Sequence, residues 1–384
     1  MTRDSLLCLQ DFEAFARKRL PRPIFGYVEG GVEDQRSRAE NRAVFDEILF
    51  RPRTLRDVSR RDQRVELFGE TYASPFGIAP MGIAAMTAYR GDLQLARAAA
   101  DAGVLNVLSG FSLIPLEEVC AAAPRTWFQA YLPGDPQRIA GLVERVTKAG
   151  VGTLVLTVDT PVSANRENNV RTGFSIPFKP NLRLFWDGAI RPRWTVGTFL
   201  RTLARHGMPH LENLHTGRAE PILSASVVRG ASGRDAFTWE HVDAIRRQWK
   251  GRLVLKGILS VEDAVIARDR GVDGIVLSNH GGRQLDGAAS PMRVLAQVVE
   301  AVAPMPVLID SGFRRGTDVL KAVALGARMV LIGRPFNFAL TSGGAAGVRH
   351  GIALLRQEID RDLAQLGCRS LAEVTPDLLL QVRR

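Results

Sequence analysis

The sequence predicts an α/β protein built as a closed (β/α)8 TIM barrel, with N-terminal helices ahead of it and a long insertion after the fourth strand. Three observations carry this. Eight short apolar runs recur between residues 76 and 333, and amphipathic stretches ending at glycine separate several of them. The runs are continuously apolar rather than alternating, as parallel strands covered on both faces must be. Eight strand–helix units in succession close on themselves, with their chemistry at the strand C-terminal ends. A doubly wound open sheet would use fewer strands and a GxGxxG turn, which the chain lacks.

The elements follow in order. Asp11 to Leu20 has apolar residues at helical spacing and stops before Pro21, and residues 11–48 read as helices. Pro52 to Gly69 is mixed in character and reads as a covering segment. The barrel runs are Phe76–Pro80, Val104–Ser109, Trp127–Tyr131, Thr153–Asp159, Leu253–Lys256, Gly274–Ser278, Val307–Asp310 and Met329–Gly333. Asp92–Gly103, Pro136–Gly150, Val261–Gly271 and Thr317–Gly326 read as helices, each closing on a glycine suited to a left-handed cap. The gap at about 170–237 far exceeds the ~2–6 residues of an ordinary βα connection, and such insertions are functional or disordered. One domain over 1–384 is expected: a helical cover (1–70), the barrel (76–170 and 238–345), the insertion (171–237) and C-terminal helices (346–384).

Composition narrows the function classes. A length of 384 residues with 46% hydrophobic content would allow two or three domains at ~150 residues each, but α/β barrels of ~250 residues are single units. No run approaches the ~18 apolar residues of a membrane span. The N-terminus carries Asp4, Asp11 and Glu13 without an apolar core, so no signal peptide is expected and cytoplasmic residence follows. Cys8, Cys120 and Cys368 are far apart without CxxC spacing, which points to reduced buried thiols rather than disulfides or a zinc site. A net charge of +11 attracts something anionic: nucleic acid, a membrane surface or an acidic substrate.

Polar residues gather at the ends of the runs: Ser109; Gln129 and Tyr131; Thr157 and Asp159; Lys256; Ser278 and His280; Asp310; Gly333 and Arg334. Together they converge on one mouth of the barrel. In Ser278-Asn-His-Gly-Gly-Arg-Gln-Leu-Asp-Gly287, His280 titrates near neutrality and suits proton abstraction, while Arg283 offers a planar fork for a carboxylate. Asp310-Ser-Gly-Phe-Arg-Arg-Gly316 and Ile332-Gly-Arg-Pro335 follow the seventh and eighth runs, where barrels bind phosphate, and Arg314 or Arg334 would neutralise it.

With those motifs, and with Leu20–Tyr27, Glu33-Asp34-Gln35, Thr157–Pro161 and Gly367–Leu371, the whole chain resembles the FMN-dependent 2-hydroxy-acid dehydrogenase and oxidase family. The resemblance implies that His280 takes the 2-hydroxyl proton while hydride, or its electron equivalent, reaches the flavin, and that Asp159 orients the imidazole. It implies that Arg166 and Arg283, with Tyr27, hold the substrate carboxylate and that Tyr131 bonds the hydroxyl. Lys256 would stabilise reduced FMN. Pro80, Met81, Gly82, Ser109, Gln129, Thr157 and Ser278 would seat the ring, Asp310 the ribityl chain, and Gly312, Arg314, Gly333 and Arg334 the phosphate. No metal is implied. Ser311 stands where many family oxidases have Gly and is expected to be harmless. Gly82 stands where glycolate and lactate oxidases carry Ala. There, and at Arg205–Pro209 and Ser290–Gln297, the sequence resembles the mandelate dehydrogenase branch, so (S)-mandelate or another aromatic L-2-hydroxy acid is expected. L-Lactate dehydrogenase and a soluble oxidase using O2 are the alternatives. A flavin isomerase and a non-catalytic anion-binding barrel belong to other classes; the two arginines beside His280 argue against the isomerase.

The insertion concentrates charge. Between Ser175 and His210 stand Lys179, Arg183, Arg191, Arg193, Arg201 and Arg205 against Asp187 alone, interleaved with Phe178, Phe185, Trp186, Trp194 and Phe199. Such a mixture lies in a headgroup interface. The alternative is a disordered or subunit-contacting loop; no nucleic-acid partner is expected, since no recognised module accompanies the segment. The resemblance favours an anionic membrane surface on the inner face of the cell membrane, a quinone as electron acceptor, and a homotetramer.

Overall fold

The computed structural model describes residues 5–175, 177, 182–218, 221–224 and 233–381. Eight parallel strands close into a barrel: β1 (Phe76–Ile78), β2 (Leu105–Ser109), β3 (Trp127–Ala130), β4 (Thr153–Thr157), β5 (Arg252–Ile258), β6 (Gly274–Leu277), β7 (Val307–Ile309) and β8 (Met329–Ile332). Each pairs with its sequence neighbour, and β8 pairs with β1. Every one lies within a residue or two of an apolar run. The helices between them end as their glycines require: Gly103, Gly150, Gly271 and Gly326 all adopt positive φ.

The strands are apolar on both faces because both are buried. Inside, Leu105, Val107, Trp127, Val155, Val254, Val276, Leu308, Met329 and Leu331 form one cluster. The hairpin Val65–Leu67 and Glu70–Tyr72 contributes Val65, Leu67 and Tyr72 to it. The segment expected as part of a helical cover therefore packs strand side chains against the barrel interior. Outside, Phe76, Ile78, Leu154, Leu156, Leu253, Leu255, Val330 and Ile332 meet the surrounding helices.

Helices Asp11–Arg19, Arg22–Glu29 and Arg36–Ala43 precede the barrel. The chain ends are less helical than expected: after Ala345–Leu366 the C-terminus turns back, and Leu379–Gln381 pairs antiparallel with Ile48–Phe50. Among the described residues no helix is long and apolar enough to cross a membrane.

The helix Glu167–Thr172 leads into the insertion, which holds helical segments at Leu182–Ala189, Pro192–Trp194, Thr195–Leu200 and Arg201–His206. Its aromatics divide. Phe185 and Trp186 are exposed, whereas Trp194 is buried, donates from Nε1 to the Met86 carbonyl at 2.8 Å and stacks on Phe199. Trp194 and Phe199 thus fasten the insertion to the barrel, a correction to their expected place in a headgroup interface. Asp187 is likewise buried, accepting from Arg191 at 2.9 Å. Phe178 and Lys179 lie outside the described residues.

Candidate active site

Strand parity builds the floor of the site. Side chains two apart share a face. Val107 faces inward, so Ser109 does too; the same step carries Trp127 to Gln129, Val155 to Thr157, Val254 to Lys256, Val276 to Ser278, Leu308 to Asp310 and Leu331 to Gly333. Apolar layers thus give way to one polar layer at the C-terminal mouth, where a cavity of about 820 Å³ opens. Tyr27, Pro80, Met81, Gly82, Tyr131, Thr157, Arg166, Lys256, His280, Arg283, Asp310, Gly312, Arg314, Gly333 and Arg334 all line it. The other expected residues stand behind the lining. Ser278 accepts from Lys256 Nζ at 2.8 Å, Asp159 contacts His280, and Ser109 donates to Gln129 at 3.1 Å.

His280 is held in an uncommon backbone. Its φ is +58°, and Gly281 and Gly282 follow at +67° and +70°. A non-glycine residue in this region is strained and persists only where its surroundings impose it. Here the His280 N–H donates to Ser278 Oγ at 3.0 Å, and the Gly281 N–H to Ser311 Oγ at 3.0 Å. Ser311 in turn donates to Asp310 Oδ1 at 2.7 Å and itself has φ +79°. The Ser311 hydroxyl thus ties the β7 loop to the histidine loop.

The turn aims the imidazole at Asp159, with Nδ1 3.0 Å from Oδ1. A carboxylate acceptor assigns the proton to Nδ1 and leaves the Nε2 lone pair free. Burial lowers the His280 pKa more than Asp159 restores it, so the ring is neutral at neutral pH. Burial pushes Asp159 upward, but His280 and Lys256 together outweigh it and hold the carboxyl below its usual range. Burial also raises Tyr131 to about 12, keeping its phenol protonated as a donor. Lys256 stays charged, because Asp310 at 2.9 Å and nearby Asp159 more than offset its burial.

Sequence reasoning missed Gly257. Its φ is +109°, it forms the bulge between Lys256 and Ile258, and a Cβ there would lie 2.5 Å from the Asp159 Cβ. Only glycine lets the acid sit at this depth. A lone glycine in a strand, read as a close approach, would have signalled it. Arg234 also lines the cavity unforeseen.

The residues present fit FMN. Arg283 donates to the Gly30 carbonyl at 2.6 Å, Arg314 to that of Phe313 at 2.8 Å, and Arg334 to those of Val28, Gly281 and Gly30. These bonds go to carbonyl oxygens and leave the charges uncompensated. Burial first, then neighbouring arginines, bring Arg283 and Arg314 down to about 10 and Arg334 well below its usual value. A phosphate dianion held by Arg314 and Arg334 reverses that penalty for those two. At Gly312, φ +92°, a Cβ would lie 2.0 Å from the Asn41 carbonyl, so the loop passes where a side chain is forbidden. On the floor, Gln129 Nε2 and Thr157 Oγ1 are buried with no partner among the described residues, as polar groups meant for a heterocycle edge would be.

A barrel whose mouth joins an aspartate-backed imidazole to a cationic cradle has the parts of an enzyme that moves a proton beside a bound phosphorylated group. The chain belongs to the FMN-dependent dehydrogenase family, whose model matches residues 16–381. It is 41% identical to (S)-mandelate dehydrogenase of Pseudomonas putida, over 98% of this chain and 94% of that protein. To L-lactate dehydrogenase of Xanthomonas campestris pv. campestris it is 40% identical, over 97% of both. The crystal structure of the monotopic membrane protein (S)-mandelate dehydrogenase superposes with a TM-score of 0.92 at 40% identity, covering 98% of this chain and 100% of that one. A mandelate oxidase structure matches at 0.80 and 35%, covering 97% and 98%. FMN is accordingly the cofactor, and the reaction is oxidation of a 2-hydroxy acid.

Proposed function

We propose that the protein oxidises an aromatic L-2-hydroxy acid of the mandelate type at the inner face of the cell membrane, as a homotetramer with a quinone as final electron acceptor. The carrying observation is the His280–Asp159 pair opening on the same cavity as Arg166, Arg283 and Tyr27. The substrate carboxylate sits between Arg283 and Arg166, whose Nε donates to the Arg283 carbonyl at 3.0 Å. Arg283 also lies over the Tyr27 ring at 5.1 Å, which fixes the fork's plane. Tyr131 donates to the 2-hydroxyl oxygen, and His280 Nε2 accepts its proton. Asp159 stabilises the resulting imidazolium. Bound FMN supplies the two-electron acceptor. Pro80, Met81, Gly82, Ser109, Gln129, Thr157 and Ser278 would seat its ring with Lys256 beside it. Asp310 would take the ribityl chain, and Gly312, Arg314, Gly333 and Arg334 the phosphate. Anaerobic flavin bleaching by (S)-mandelate, L-lactate and glycolate tests the reading; failure of all three acids to bleach it defeats it.

Gly82 supports the aromatic preference. A Cβ there would lie 2.9 Å from the Phe111 Cβ and 3.2 Å from the Tyr27 hydroxyl, narrowing the space beside the reacting carbon. Gly82→Ala is expected to lower kcat/KM for (S)-mandelate about 10-fold more than for L-lactate, since small changes in pocket volume discriminate on this scale. Equal losses would remove Gly82 as a selector.

Membrane attachment is supported by the exposed side chains of Leu182 (89%), Phe185 (78%) and Trp186 (65%), with Arg193, Arg201 and Arg205 exposed on the same insertion. Burying each apolar side chain contributes roughly 1.5–3 kcal/mol. Phe185→Ser with Trp186→Ser is expected to cut partition onto anionic vesicles by about 100-fold or more while Trp194 keeps the insertion docked. Unchanged sedimentation with vesicles would defeat the anchor.

A further inference from the structure

Arg234 is a guanidinium that the mechanism does not use. It begins the turn Arg234–Ala236 at the end of the insertion and lines the same cavity as His280 and Arg283. Its position is built. Gly233, at φ +83°, accepts from the Gly134 N–H at 2.8 Å, and a Cβ on Gly134 would lie 2.6 Å from the Ala236 carbonyl. Gly134 thus lets the turn pack against the β3 loop and swing Arg234 over Tyr131, with Cζ 5.5 Å from the ring centroid. Among the described residues the side chain's hydrogen bond is a long one, from Nη1 to Thr160 Oγ1 at 3.4 Å, and its buried Nε has no partner. Burial lowers its pKa, and Arg166 adds repulsion.

Among the described residues no carboxylate pairs with Arg234, although Asp235 lines the same cavity. Lys256 is matched by Asp310, and Arg314 and Arg334 suit a phosphate. One substrate carboxylate placed against Arg166 and Arg283 leaves Arg234 over, held above the Tyr131 ring in the cavity that Phe111, Val162 and Val170 also line. We infer that Arg234 is a specificity-determining residue that binds a second carboxylate at the far end of the substrate's side chain. The preferred substrates are then 2-hydroxy acids bearing a distal carboxylate, aromatic or aliphatic. This rests on the 2-hydroxy-acid reading above and refines it.

The test uses holoenzyme and two pairs that differ in charge but hardly in shape: (S)-4-carboxymandelate against its 4-carboxamide, and L-2-hydroxyglutarate against its 5-amide. In the wild type, kcat/KM for flavin reduction favours the diacid of at least one pair by about 10- to 100-fold, the scale of a charge-assisted hydrogen bond. Arg234→Gln abolishes that ratio and Arg234→Lys restores part of it. Binding of the corresponding 2-oxo diacid, followed by thermal shift, weakens in parallel. A wild-type ratio at or below one, a ratio that survives Arg234→Gln, or an equal loss for both members of a pair overturns the proposal; the last would make Arg234 a support for Tyr131. If (S)-mandelate and both pairs all fail to bleach the flavin, the 2-hydroxy-acid reading itself falls.

Discussion

His280→Ala will retain bound FMN and slow anaerobic flavin reduction by (S)-mandelate about 10⁴-fold, the upper range for loss of a general base. Of the other proton acceptors lining the cavity among the described residues, Asp310 is spent on Lys256, Tyr131 is a protonated phenol, and Asp235 lies on the turn that ends the insertion. Asp159→Asn will lose about 10²- to 10⁴-fold, because an amide in place of the carboxylate neither holds the Nδ1–H tautomer nor stabilises the imidazolium. The pH profile carries an independent sign. Burial lowers the His280 pKa, so the base form persists below the ordinary imidazole value of about 6.5. The rate of flavin reduction should stay level as pH falls through that value and decline only in more acid solution. Stopped-flow reduction across pH checks both points. A variant within ten-fold of wild type, or a rate that climbs toward acid pH, would remove His280 as the base.

What the sequence could disclose follows from which interactions are local. Strand positions were legible because a doubly buried strand must be apolar throughout, and the glycines closing the helices marked their ends. The step from Leu308 to Asp310, or from Val254 to Lys256, could be read because period-two parity needs no tertiary knowledge. Arg234 could not: it sits in an insertion without a motif, and Gly134, far away in sequence, brings it to the mouth. Trp194 was misplaced for the same reason. An aromatic among arginines has the composition of an interface residue whether it faces lipid or donates to a barrel carbonyl, as this one does to Met86. Gly281-Gly282 announced a tight turn, but the positive φ of His280 depends on Ser278 and Ser311 from neighbouring strand ends.

Arg314→Gln will move FMN affinity and apoprotein stability in opposite directions. In the wild type Arg314 is a half-buried cation whose pKa is lowered chiefly by burial and next by Arg42, and its Nη1 bonds the Phe313 carbonyl. A buried charge without its counterion destabilises the protein that contains it, so a neutral amide should leave the apoprotein melting no lower than wild type. The phosphate, conversely, loses a charged partner, which costs roughly 2–5 kcal/mol, or about 30- to 5000-fold in Kd. FMN will therefore raise the melting temperature of the variant less than that of the wild type. Riboflavin separates this from a general loss of fit: it keeps the ring and lacks the phosphate, so its affinity should barely change while the preference for FMN over riboflavin collapses. Fluorescence titration of apoprotein with both flavins measures this. A preference that survives Arg314→Gln would place the phosphate elsewhere, with Arg334 and its three carbonyl contacts the next group to test by the same titration.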